Sequence, residues 1–268
     1  MTRIPVFINS RDRLTPLAEL VSWLERAGVE EIYFIDNDSA YPPLLEYYER
    51  SPHTVIRLDH NVGKNALWDA DGVFELTKGR PFAYSDSDIV PDADCPLDAL
   101  DVFLELLERY RDGYPEGVHK AGFGIRVDDI PDHYPHKAHA IAGSRADYSW
   151  PLGDGAYYTS IDTQFAVYRP GSQARPHRAA RTGPPYVARH HSYYLDFENL
   201  SEEDAFYVRR TEEARETRTF TLWATPELAG PGAGAPPSLP GPLTKLRWRL
   251  RGRRTLRASR NSWRREMM

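Results

Sequence analysis

Cysteine is nearly absent. Cys95 stands alone among 268 residues, so no disulfide can close within the chain and no cysteine-based zinc site can form. A reducing, cytoplasmic compartment is the natural expectation. Long apolar runs are absent too: none approaches the ~20 residues of a membrane span, and the first residues run directly into an apolar, strand-like stretch, so no secretory leader is expected. Nor is there an overall excess of positive charge. The net charge is −5, which argues against a nucleic-acid-binding body. What the chain does have is aromatic mass, with 16 Tyr, 10 Phe and 6 Trp. That composition can bury the core of one α/β domain.

The charge is unevenly placed. Residues 245–266 hold ten Lys and Arg against one acid, a net of +9, and the rest of the chain therefore carries −14. Just before that segment, residues 226–242 are dominated by Pro, Gly and Ala and read as a linker. Three parts are expected: a domain over 1–225, a linker over 226–242 and a basic tail over 243–268. The tail has three readings: a segment lying on an anionic membrane surface, a nucleic-acid contact, or a solvated tail. The acidic body and the lack of any nucleic-acid fold signature set the second aside.

Strand-like and helix-like segments alternate through the first 90 residues. Residues 4–9 read as a buried strand. Thr15 reads as a helix N-cap with Pro16 at the first helical position, and Leu17, Leu20, Val21 and Leu24 recur at helical spacing up to Gly28. Strands follow at 31–35, 54–58 and 81–85, with helices at 43–48 and 66–76. A longer helix is expected over 95–110 and strands over 120–126 and 161–168. Residues 175–185 read as an exposed loop, and Ser201 reads as the cap of a late helix. This alternation predicts a mostly parallel sheet flanked by helices, whose ligand crevice lies beyond the carboxyl ends of its strands. The polar clusters 9–13, 36–39, 59–65 and 86–88 all fall at that edge.

Asp86-Ser87-Asp88 places two carboxylates two residues apart just past a buried strand. Oxygen ligands in that arrangement suit Mg²⁺ or Mn²⁺ bridging to diphosphate oxygens. A solvated acidic turn would look the same in isolation. Asn61, Gly63 and Lys64 precede a helix, whose N-terminus favours phosphate. Asp162 starts an expected buried strand, where a carboxylate needs a partner or a purpose, and Asp129 competes with it as a base.

Taken with residues 4–11, 35–39 and 61–63, these motifs make the chain resemble glycosyltransferases of the GT-A fold, similar to the family-2-like enzymes and to bacterial polysaccharide sugar transferases, over about residues 4–210. The resemblance implies a Rossmann-like nucleotide-diphospho-sugar transferase fold with Mn²⁺ or Mg²⁺, a nucleotide-sugar donor (UDP expected) and a saccharide or other hydroxyl-bearing acceptor. Carried onto this chain, it implies nucleoside contacts at Asn9, Arg11 and Asp36, a donor-binding segment at Asn61, Gly63 and Lys64, a ribose and metal contact at Asp86, and metal ligands at Asp88 and at a late histidine, His190 before His191. Asp162 and Asp129 are the expected catalytic carboxylates. Two alternatives stand beside this reading. A nucleotidyltransferase would share the nucleotide and metal, although it typically carries a glycine-rich loop after the first strand, and residues 9–14 hold no glycine. A non-catalytic carbohydrate- or membrane-binding module would not bind nucleotide at all.

Overall fold

The computed structural model describes residues 4–112, 117–162 and 164–213. The linker and basic tail expected from the sequence lie outside the described residues.

The first half is built as the periodicity predicts. Strands β1 (Val6–Ser10), β2 (Ile32–Asp36), β3 (Thr54–Arg57) and β4 (Phe82–Asp86) are joined by helices α1 (Thr15–Arg26), α2 (Pro42–Arg50) and the short α3 (Ala66–Asp69). They pair in parallel in the order β3-β2-β1-β4. Helix α1 buries Leu17, Leu20, Val21 and Leu24 against one face of that sheet, each worth roughly 1.5–3 kcal/mol of apolar burial. The opposite face packs Phe7, Phe82 and Tyr84 against Ala66 and Leu67 of α3.

Two local expectations change here. Thr15 is the first residue of α1 and not its cap: Leu14 holds the cap position without a side-chain bond, and the Glu203 carboxylate accepts from Thr15 N at 3.0 Å and from its hydroxyl at 3.2 Å. A residue far along the chain thus satisfies the helix start. The helix expected over 66–76 stops at Asp69, and a separate 3-10 turn spans Phe74–Thr77. Ala70 caps α3 in an extended conformation, φ −87° and ψ 133°, and Gly72 then turns the chain at φ +73°.

After β4 the chain makes β5 (Ile89–Pro91), α4 (Ala99–Arg109), β6 (Lys120–Gly122), β7 (Gly124–Ile125), α5 (Lys137–Asp147), β8 (Pro151–Gly153), β9 (Ala156–Thr159), β10 (Ala166–Tyr168), β11 (Ala179–Thr182), β12 (Val187–His190) and α6 (Glu202–Glu213). The main sheet continues past β4 as β10-β6-β11-β9-β8, with mixed directions, and β5-β12-β7 form a small second sheet. The expected strand over 120–126 is split between the two sheets. A Cβ at Gly124 would collide with the Thr182 carbonyl and the Tyr148 hydroxyl, so the crossover needs a glycine. The expected strand over 161–168 shrinks to β10, leaving Asp162 outside it. The stretch expected as an exposed loop contains β11, all four of whose residues are buried. Ser201 does cap α6: its hydroxyl accepts from Asp204 N at 3.1 Å.

Candidate active site

Strand register assembles the acidic motif with its partners. In the parallel pair β1–β4, Asn9 lies beside Asp86, and Asn9 Nδ2 points at Asp86 Oδ1 from 3.5 Å. The chain passes from Asp88 directly into β5, which pairs antiparallel with β12, Ile89 opposite His190. This pairing carries a residue about a hundred positions downstream back to the motif. His191 N donates to the Asp88 carbonyl at 2.8 Å, and His190 Nε2 stands 3.3 Å from Asp88 Oδ2.

Asp88 is held on several sides. Arg13 Nη1 donates to its Oδ2 at 2.8 Å and Ser192 Oγ at 3.1 Å. Burial alone would raise the carboxyl's pKa, but the charge and hydrogen bond of His190, then the charges of Arg13 and His191, outweigh it and hold Asp88 well below the usual carboxylate range. Arg13 itself is 2% exposed, and its guanidinium lies 3.9 Å over the ring of Tyr207 in α6. The same helix sends Arg210 to Asp12 at 3.4 Å and to the Asp38 carbonyl at 3.0 Å, while Asp204 takes His191 Nε2 at 3.1 Å. Helix α6 therefore closes over the carboxyl edge of β1, β2 and β4.

Asp88 and His190 are two metal-capable side chains that meet at an oxygen which Arg13 and Ser192 also share. Two cis ligands about 2.1 Å from one ion lie about 3 Å apart, close to the observed separation of Asp88 and His190. His190 Nδ1 is buried and makes no hydrogen bond among the described residues. No group of three His, Cys, Asp or Glu converges as a closed cage among them. Open sites of this kind take one or two carboxylates plus substrate phosphates.

Other expected site residues divide. Asn61 Oδ1 accepts from Gly63 N at 2.9 Å, and Gly63 has φ +90°. Asn37 clamps this turn to the end of β2: its Nδ2 donates to the Gly63 carbonyl at 2.8 Å and its Oδ1 accepts from Val62 N at 2.8 Å. Lys64 is anchored through its carbonyl, which takes the Tyr84 hydroxyl at 2.6 Å. Arg11 lies against Asp12, Nε 3.8 Å from Oδ2. Asp36 stands apart from the expected nucleoside contacts. It is fully buried on the side of the sheet opposite Asn9 and Asp86, where Tyr48 donates to it at 3.3 Å and Arg57 pairs with it at 3.1 Å. Burial raises its pKa against the opposing pull of Ser39, Arg57 and Tyr48.

Neither expected base stands free. The Asp129 carboxylate takes Arg189 at 2.7 Å and the Tyr194 hydroxyl at 2.5 Å, with Arg126 at 3.2 Å. Burial there is outweighed by Tyr194, Arg189 and Arg126, so its pKa falls and it is a weak proton acceptor. Asp162 is half exposed and ion-paired with Lys64 at 2.5 Å. It is not the buried strand carboxylate that the sequence suggested.

Several residues of the site carry no local signal in the sequence. Arg13 reads as one more surface arginine and Ser192 as an unremarked serine. Asn37 was legible only as part of a turn.

No protein family matches the chain, and no curated protein does. Solved structures that resemble it include apo UDP-glucose pyrophosphorylase, at 11% identity over 77% of this chain and 99% of that one, with a TM-score of 0.38. Another is HddC from Yersinia pseudotuberculosis complexed with GMP-PN, at 16% identity over 72% of this chain and 84% of that one, with a TM-score of 0.35. Likeness this distant does not bear on what this chain does.

Proposed function

We propose that this protein is a metal-assisted transferase that moves a sugar from a nucleotide-diphosphate donor, UDP-linked, to a hydroxyl-bearing acceptor. The observation that carries the reading is the meeting of Asp88 and His190 at 3.3 Å, beside Asn9 and Asp86, at the carboxyl edge where an α/β sheet takes its ligand. Asn9 and Arg11 face the nucleoside, and Asp86 the ribose. The turn at Asn61, Gly63 and Lys64 lies toward the diphosphate through its backbone, the Lys64 ammonium being turned to Asp162. Asp88 and His190 would hold Mn²⁺ or Mg²⁺, which would supply the positive charge that a nucleotide-diphosphate leaving group needs. Arg13 and Ser192 keep Asp88 ionised and oriented, and α6 shields the edge from water.

Nucleotidyl transfer is the second reading, and the first turn weighs against it. The backbone after β1 does not open into a phosphate cradle: Asp12 N donates to Ser39 Oγ at 3.0 Å, and Asp12 Oδ1 accepts from Ala40 N at 2.6 Å and Tyr41 N at 2.9 Å. Those bonds fasten the turn to the start of α2. A panel of nucleotide sugars, assayed in parallel for nucleoside-diphosphate release and for pyrophosphate-dependent breakdown, separates the two. Metal-dependent release of UDP from one donor, lost in His190→Ala, is the expected result. Pyrophosphate-dependent formation of a nucleoside triphosphate would replace glycosyl transfer with nucleotidyl transfer.

A further inference from the structure

The face of the sheet that carries Asp86 continues into a basic cluster that the donor reading leaves unused. Lys120 on β6 is 2% exposed and Arg181 on β11 is 4% exposed. Their strands are adjacent and parallel, Lys120 level with Ala179 and Arg181 level with Gly122, so both side chains leave the same face. Lys120 Nζ donates to the Asp162 carbonyl at 3.0 Å and to the Tyr168 hydroxyl at 3.1 Å. An ammonium has three N–H donors, so one is left without a partner among the described residues. Arg181 Nη2 donates to the Ser160 carbonyl at 3.0 Å and to Gln164 Oε1 at 2.7 Å. Its Nε is buried with no hydrogen-bond partner among the described residues. Lys64 reaches over from the donor side and pairs with Asp162.

Buried cations are normally paired. Here the buried Lys120 and Arg181 and the exposed Lys64 share two carboxylates, Asp162 paired with Lys64 and Asp147 also taking the Thr159 hydroxyl at 2.7 Å. Asp162 is 53% exposed, and Asp147 lies 3.7 Å from Arg181. Two buried N–H groups without partners and a surplus of positive charge describe a site built for an anion. The acidic group beside it is the Asp162 carboxylate, paired with Lys64.

The cluster lies away from the donor's diphosphate. In sheet order β6 is two strands from β4 and β11 is three; at about 4.8 Å per strand they stand about 10–14 Å from the Asp86 strand. We propose that Lys120, Arg181 and Lys64 form a subsite for an anionic group, phosphate or carboxylate, carried by the second substrate, with the Asp162 side chain swinging aside when that group binds. The proposal rests on the transferase reading only in calling the ligand a second substrate.

The test uses the full chain and follows its melting temperature against inorganic phosphate or acetate, each compared with chloride at matched ionic strength, with and without saturating UDP and Mn²⁺. Phosphate or acetate is expected to stabilise the protein by mass action, and whichever of the two is bound more tightly assigns the group. Asp162→Asn removes the competing carboxylate and should tighten binding by about tenfold, whereas Lys64→Ala should weaken it by about tenfold, the worth of one charge-assisted hydrogen bond. Lys64 and Asp162 are exposed, so neither change threatens the fold. UDP with Mn²⁺ should leave anion affinity unchanged. Equal affinity in wild type, Asp162→Asn and Lys64→Ala, no binding of either anion, or displacement of the anion by UDP would overturn the proposal. Anion binding that responds to Asp162→Asn in a protein that ignores UDP and Mn²⁺ would uphold the subsite and remove the transferase reading alone.

Discussion

Asp88 and Arg13 form a pair that neither could leave without consequence for the other. Arg13 is buried and Asp88 partly so, with side chains 3% and 13% exposed, and removing one partner of such a pair leaves a poorly compensated charge. Arg13→Met is therefore expected to destabilise the protein by about 3–5 kcal/mol in urea denaturation, and a change below 1 kcal/mol would mean that Asp88 finds another partner. Lys120 gives a pH signature. Burial, with Arg181 and Lys64 nearby, pushes its pKa down to about 7 against the upward pull of Asp162; Tyr168 also faces it. Its folded pKa thus lies below the unfolded value of 10.5. Below pH 7 both states are protonated and the burial penalty is complete. Between pH 7 and 10.5 the unfolded state binds the extra proton, so stability rises with pH. Wild type should gain stability relative to Lys120→Met from pH 7 to pH 9, read from paired urea titrations, and parallel pH curves would contradict the assignment. None of this is legible in the sequence, because the burial of Arg13, Lys120 and Arg181 arises from contacts 179, 42 and 21 residues away along the chain.

The turn at Asn61–Lys64 and the start of α1 show how far local signals reach at the level of an element. Gly63 could be read as a turn glycine from its neighbours. Its φ of +90° with open space around the Cβ position means that Gly63→Ala meets strain but no clash. A loss of about 1 kcal/mol is expected, with nucleotide affinity falling alongside if the turn holds the donor as proposed. Thr15 was readable as a helix start, but the group that satisfies it, Glu203, belongs to α6. Glu203→Ala should cost about 1–2 kcal/mol and loosen α6, seen as faster amide exchange over residues 202–213; unchanged exchange would leave α6 held by its other contacts alone. The parallel strands β1–β4 were legible because their apolar runs are bounded by turn residues. Strand β11, Ala-Ala-Arg-Thr, has small and charged side chains that resemble a loop, and it becomes a strand only because β6 and β9 enclose it.

Over the whole molecule, the two halves of the main sheet differ in how much of them a sequence can disclose. The first half joins neighbours in the chain through helices, so its direction and order follow from alternation. The second half pairs β4 with β10 and β6 with β11, associations across long stretches that periodicity does not encode. The Asp86-Ser87-Asp88 motif was legible, and so was His190 as its candidate partner, but their contact depends on the β5–β12 pairing. Every residue assigned to the site precedes residue 214. Truncation after Thr225 should therefore leave nucleotide affinity unchanged within twofold, and the same truncation tests the basic tail if sedimentation with anionic liposomes falls.

Asp88 and His190 are proposed to hold a divalent ion for a nucleotide diphosphate. Isothermal titration of the full chain with UDP, with and without Mn²⁺, tests it most directly. Mn²⁺ should strengthen UDP binding by about tenfold or more in wild type, and His190→Ala should abolish that enhancement while leaving the metal-free affinity in place. UDP binding that is absent, or is equally strong with and without Mn²⁺ in both proteins, would contradict it.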